Sequence, residues 1–277
     1  MSGSVFQLTV QGARGSMAGD REDCAVFGGD TSCYMLEAGD ETIFLDAGTG
    51  LLRAPAYYPK PPLILLSHLH LDHVIGLGMF PGITNRNQRP SVYIPFCESR
   101  SAAEKTMDRL FSPPFWPLTL QDCESTPALL PMPAALELGE VTVAAMPGNH
   151  PGGCLVFRIE YRGKCVVYAT DFEHEETSFA RLTDFAHGAD LLLYDAQYTQ
   201  REYELHRGYG HSTAEKGLEL MERSGAKRLL LVHHAPWSTD RDLILREEKL
   251  PKEKACYARQ GQRIILQDGE TDKGARE

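Results

Sequence analysis

The chain has 277 residues, 42% of them hydrophobic and 24% charged, the balance of a soluble globular protein with room for one large α/β domain or two small ones. Its 28 Lys and Arg against 38 Asp and Glu leave a net charge of −10, so no overall basic field favours nucleic acid or an anionic membrane. Seven scattered cysteines, none in a CxxC pair, read as reduced thiols of a cytoplasmic protein rather than a disulfide framework.

The opening MSGSVFQLTVQG lacks the basic segment and long apolar run of a signal peptide, and its VFQLTVQG predicts a strand. A Gly-rich loop, GARGSMAGDREDCAVFGGD, follows. TSCYMLEAGDETIFLDAGTG then predicts a hairpin turning at Gly39-Asp40. LILL predicts a short buried strand. Residues 79–133 read as an irregular, proline-rich insertion around one helix at SAAEKTMDRLF, placed like a lid. From residue 136 strands and helices alternate. The strands are EVTVAAM, CLVFRIEYRG, KCVVYAT, ADLLLYDA, KRLLLVHH and QRIILQDG. The helices are TSFARLTDFAH ending at Gly188, STAEKGLELMERS ending at Gly225, and one between Asp240 and Arg259. No apolar stretch approaches the ~18 residues of a membrane span. No internal repeat or domain boundary is visible, so residues 1–277 read as a single domain with a disordered tail at 270–277.

The chemistry begins at LILLSHLHLDH, Leu63 to His73, where three histidines and an aspartate follow four apolar residues. Ionisable groups at the end of a buried strand are costly unless paired or bound to metal. Three further strands end the same way, at His150, at Asp171 and at His233-His234. In layered α/β folds active sites form along such strand ends. Neutral imidazole and carboxylate are the usual ligands of zinc and similar divalent ions. Seven such groups are too many for one tetrahedral ion and suit a dinuclear site.

HLHLDH, with His150, Asp171 and His233 in order behind it, resembles the metallo-β-lactamase superfamily, and FLDAGTG, YATD and VHHAP match as well. The resemblance covers nearly the whole chain. It implies an α/β (α+β) four-layer αββα sandwich of two mixed β-sheets, with two divalent metal ions at one edge. By that resemblance His68, His70 and His150 hold the first ion. Asp72, His73 and His233 hold the second, and Asp171 bridges them. Zinc leads the expected metals, with manganese or iron also suited to these donors. Asp46, closing IFLDAG, is expected to orient a ligating histidine, a turn residue before Gly48 being the plain alternative. His70 stands where the oxygen-reducing diiron branch carries a carboxylate, which disfavours that branch.

GYGHSTAEKG, Gly208 to Gly217, narrows the branch. Ser212 and Glu215 read as a capping box, which leaves His211 unexplained just ahead of a helix. The stretch resembles the phosphodiesterase branch of the superfamily, which includes ribonuclease Z and the cyclic phosphodiesterase of phosphonate breakdown. That likeness implies a catalytic His211 beside Asp72 and Asp171, with attack by a metal-bridging hydroxide. Two divalent ions, two aspartates and a hydroxide leave the site at about +1, which suits a phosphodiester monoanion, a cyclic nucleotide included. The tRNA-processing members carry a long arm between the third histidine and the bridging aspartate. Here that gap is 171 − 150 = 21 residues, which disfavours structured tRNA. Within the insertion, Phe115 and Trp116, beside Phe111, are candidates for stacking on a base, and Ser212 for a substrate contact. His174, His187, His206, His234, Arg207 and Cys154 carry no assigned role. A lactone or glutathione-thioester hydrolase on the same site is the rival enzyme, and a binding or carrier protein of the same fold the non-enzyme rival. A homodimer is the default oligomer.

Overall fold

The hairpin expected around Gly39 forms and seeds the first of two sheets. The computed structural model describes residues 5–83 and 88–266; the tail expected at 270–277 lies outside them. Strands β1 (Phe6–Gly12), β2 (Cys33–Ala38) and β3 (Glu41–Leu45) form an antiparallel meander. β4 (Leu63–Leu65) pairs with β3 in parallel and leads into the one-turn helix α1 (Leu71–Val74). The segment 79–133 differs from its reading as an irregular insertion. It supplies β5 (Ser91–Ile94), α2 (Arg100–Asp108) and β6 (Ala128–Pro131), and both strands extend the first sheet in parallel. SVYI and ALLP are four residues each, too short for alternation to announce them amid prolines.

The second half gives β7 (Ala135–Leu138), β8 (Val141–Pro147), β9 (Leu155–Tyr161), β10 (Lys164–Ala169) and α3 (Glu176–Phe185). There follow β11 (Leu191–Asp195), α4 (Gln200–Leu205), α5 (Ala214–Ser224) and β12 (Leu229–Val232). The chain closes with α6 (Asp240–Glu247), β13 (Ala255–Tyr257) and β14 (Arg263–Ile265). The sheet orders are β14-β1-β2-β3-β4-β5-β6 and β13-β12-β11-β10-β9-β8-β7. Each is antiparallel on one side and parallel on the other, so both are mixed.

Side-chain alternation assigns the layers. Ile43, Leu45, Val166 and Tyr168 enter the core between the sheets with Leu8, Leu36, Phe157 and Ile159. Their neighbours Val167 and Ala169 face outward onto Phe179 and Leu182 of α3 and Leu220 of α5. On the opposite face, Phe44, Ile64 and Val92 pack on Val74, Ala103 and Met107. The result is helix, sheet, sheet, helix. Among the described residues no helix is long and apolar enough to cross a membrane.

Helix α5 corrects one local expectation. Its N-cap is Thr213, whose hydroxyl accepts from Lys216 N, so Ser212 and Glu215 form no capping box. Ser212 is instead drawn inward. Its hydroxyl meets Tyr194 Oη at 2.9 Å and His174 Nδ1 at 2.7 Å, and its N–H donates to Asp195. Fully buried and bonded on these sides, Ser212 is not open to a substrate as the sequence reading had it.

Candidate metal centre

Parallel strands deliver their C-terminal ends to one edge, and those ends carry the ionisable groups. β3 ends before Asp46, β4 before Ser67 and His68, β10 before Asp171, β11 at Asp195, and β12 before His233. β8 runs parallel to β10 through the intervening β9 and adds His150. Three of these residues turn the chain abruptly. Asp46, Asp171 and His233 sit at φ +61°, +48° and +61°, in the left-handed region. Such a conformation costs a non-glycine residue about 1–2 kcal/mol and persists where surrounding contacts hold it, typically at functional sites.

One group of donors is nearly tetrahedral. His73 Nε2 lies 3.2 Å from Asp72 Oδ2, 3.2 Å from Asp171 Oδ1 and 3.3 Å from His233 Nε2. His233 Nε2 lies 3.1 Å from Asp72 Oδ2 and 3.3 Å from Asp171 Oδ1. Ligands about 2.0–2.1 Å from the centre of a tetrahedron stand about 3.3–3.4 Å apart, so five of the six edges match a zinc-sized ion closely. The second group comprises His68, His70, His150 and the other Asp171 oxygen. His150 Nε2 is 3.1 Å from His70 Nδ1, and Asp171 Oδ2 is 3.6 Å from His68 Nε2 and 3.8 Å from His150 Nε2. His68 Nε2 is buried and has no hydrogen-bond partner, as a donor atom reserved for a cation would be. The seven residues singled out in the sequence therefore converge, and the donor set fits two divalent ions with one Asp171 oxygen facing each group.

The second ring nitrogens of His73, His68 and His150 are tied down, whereas His233 Nδ1 makes no hydrogen bond. Asp46 accepts from Ser67 N, Ser67 Oγ, His73 Nδ1 and Tyr168 Oη at 2.6–2.8 Å. Because Ser67 gives its proton to Asp46, it accepts from His68 Nδ1 at 3.0 Å. One carboxylate thus fixes His73 directly and His68 through a hydroxyl, which leaves both Nε2 lone pairs for a metal. His150 Nδ1 donates to Gly210 O at 2.9 Å. A Cβ on Gly210, which has φ +89°, would fall 2.0 Å from His150 Nδ1, so this close approach requires glycine. Ser16 N donates to Asp72 Oδ2 at 2.7 Å.

Electrostatics agree with the geometry. Burial pushes the pKa of His68, His70 and His150 down, which favours the neutral, ligating imidazole. Burial alone would raise the Asp171 carboxyl, yet His233, His73 and His68 hold it well below the usual carboxylate range. Asp72 behaves likewise beside His73 and His233.

His211 lies against this centre, its ring stacked 4.8 Å from His233. Its Nδ1 donates to Asp195 Oδ2 at 2.8 Å. Burial works against its proton, but Asp195, Asp171 and Asp72 outweigh burial and raise its pKa to about 9. Asp195 was not singled out in the sequence. The signal was present, since LLLYD ends in a carboxylate just as the other strands do. Ser67 and Gly210 carried no such signal. Phe115 and Trp116, the base-stacking candidates, lie in the segment before β6. Trp116 meets buried Phe111 edge-on and covers Gly78, while Phe115 stands 79% exposed.

A double sheet between helices, with this cluster at its edge, is the architecture of metallo-β-lactamase-fold hydrolases. The chain belongs to the β-lactamase superfamily: the family model described as "Beta-lactamase superfamily domain" matches residues 41–234. Ribonuclease Z of Brevibacillus brevis is 27% identical over 258 residues, covering 75% of this chain and 79% of that protein. The mitochondrial ribonuclease Z 2 of Schizosaccharomyces pombe is 26% identical over 88% of this chain, which spans 37% of that longer protein. Among solved structures, the metallo-β-lactamase fold protein YhfI of Bacillus subtilis superposes with a TM-score of 0.72 at 19% identity, over 95% of this chain and 99% of that one. A diphosphatase of the PhnP family gives 0.67 at 19% identity, over 95% and 100%. Human short-form tRNase Z gives 0.65 at 17% identity, over 94% and 99%.

Proposed function

We propose that the protein is a metal-dependent phosphodiesterase acting on a small or cyclic phosphodiester, cyclic nucleotides included. The carrying observation is the buried Asp195–His211 pair standing beside two groups of metal donors. His68, His70 and His150 would hold one divalent ion, Asp72, His73 and His233 another, and Asp171 both. Bound there, such ions supply Lewis acidity toward a phosphoryl oxygen and lower the pKa of water toward neutrality. Asp46, Ser67 and the Gly210 carbonyl orient the imidazoles. His211, held at Nδ1 by Asp195, keeps a proton at Nε2 for the departing oxygen.

The substrate's size and charge follow from two features. With both ions the local charge is about +1, which suits a diester monoanion. Between His150 and Asp171 the chain makes only the β9–β10 hairpin, turned at Arg162-Gly163. That supports a small substrate over structured tRNA, even though relatives bear the name ribonuclease Z. Hydrolysis of bis(p-nitrophenyl) phosphate, cyclic nucleotides, short RNA and tRNA, with lactone and glutathione-thioester controls, tests the reading. Elemental analysis should find two ions per chain. Lactones or thioesters turning over far faster than every diester would favour the rival hydrolase.

A further inference from the structure

The loops after β11, α4 and β12, the last two of which carry His211 and His233, hold a linked set of aromatic rings. Tyr198, in the loop after β11, lies edge-on to His211 with centroids 5.6 Å apart. Its ring is nearly parallel to His206 at 5.0 Å and to Trp237 at 6.4 Å, each inclined by 19°. Tyr209 stands edge-on to His206 at 5.4 Å. Trp237 follows His233 by four residues, and Tyr209 precedes the His150-bonded Gly210 by one. The inner ring, Tyr198, is buried, whereas Trp237 is 47% exposed and Tyr209 63% exposed.

Two features set these rings apart from incidental surface aromatics. The indole is not loose: Trp237 Nε1 donates to Glu202 Oε1 at 2.8 Å, and Tyr198 lies alongside it. It is an exposed π surface held in one orientation, which lowers the entropy cost of stacking something on it. The rings are also continuous with the reaction centre. Ring contacts run from His233 to His211 to Tyr198 to Trp237 without a gap. The chain of rings thus begins at His233, one of the candidate metal donors, and ends at the exposed Trp237.

We infer that Trp237, with Tyr209, forms a nucleobase subsite, so that the diester substrate carries a nucleoside. The inference rests on the phosphodiesterase reading and deepens it. A base has a π face whatever its identity, and stacking on an aromatic side chain is worth about 5- to 150-fold in affinity. The subsite therefore selects for a base while tolerating which one.

The chain has two tryptophans, so Trp116→Phe leaves Trp237 as the sole indole reporter. In metal-loaded protein, adenosine 5′-monophosphate should quench Trp237 emission and bind roughly tenfold or more tighter than ribose 5-phosphate, which lacks only the base. Measured by titration calorimetry, because no reporting indole remains, Trp237→Leu combined with Tyr209→Ala should bring the two affinities together and leave ribose 5-phosphate unchanged. Trp237→Phe should keep most of the preference. Equal affinity for the two compounds in the wild type would overturn the subsite, as would a preference that survives the double substitution. Failure of both compounds to bind at the metal centre would count against the phosphodiesterase reading itself, and against the subsite with it.

Discussion

Replacing Asp46 by Asn tests how far one buried carboxylate governs the metal centre. Asp46 Oδ2 accepts three donors: His73 Nδ1, Ser67 Oγ and Tyr168 Oη. An amide keeps one oxygen and puts an NH2 group against the remaining donors. The two hydroxyls can rotate and accept instead. His73 cannot. With the NH2 on the Oδ2 side, His73 relieves the clash only by moving its proton to Nε2, the atom that faces Asp72, Asp171 and His233; with the NH2 on the Oδ1 side, the opposed donor is Ser67 N–H. The ligating lone pair is then gone, or a buried donor is left opposed, at about 1–3 kcal/mol. Loss of an orienting partner of this kind typically costs 10–100-fold in metal affinity. Asp46→Asn should therefore bind its weaker ion about 10–100-fold less tightly, and the apoprotein should melt roughly 2–10 °C lower. Competition against a chromophoric chelator and a thermal melt measure the two. Wild-type affinity with an unchanged melting temperature would refute the tautomer argument.

Other expectations follow from the same contacts. His211→Ala should retain two ions but lose about 10²–10³-fold in kcat on a diester with a poor leaving group, and less on a nitrophenyl ester; equal losses on both would argue against proton donation. Gly210→Ala must push His150 aside and leave the favoured backbone region, so elemental analysis should show at most one ion per chain. His174 is lowered to about 4, chiefly by burial, so the folded state resists its protonation. Its contribution to stability is intact above about pH 6.5 and falls as the pH drops toward 4. His174→Gln should flatten the pH dependence of stability across that window; a curve parallel to wild type would show that His174 is not responsible.

The sequence by itself determined the class of chemistry. Imidazoles and carboxylates at strand ends are the donors a divalent ion takes, and HLHLDH supplies four such groups by local spacing, since alternate residues of an extended segment share a face. The longer strands, the Gly39 hairpin and the helix ended by Gly225 were equally legible, because alternation and turn chemistry are local signals. The N-cap was read one residue early, because Asp195 and Tyr194 draw Ser212 inward, and that pull comes from another strand. β5 and β6 were hidden by their length, and Asp195 by the modest look of a single aspartate after LLLY.

Only the tertiary structure decided which groups face each other. His73 and Asp171 meet at 3.2 Å although 98 residues separate them, because two sheets pack with their strand ends at one edge. The left-handed turns at Asp46, Asp171 and His233 aim those side chains across that edge, and no residue type announces them. The two sheets share one pattern, antiparallel then parallel, without a visible sequence repeat, because buried strands require apolar faces rather than particular residues. The aromatic surface beside His211 was likewise invisible, since Tyr198, Tyr209 and Trp237 come from loops that only the fold brings together.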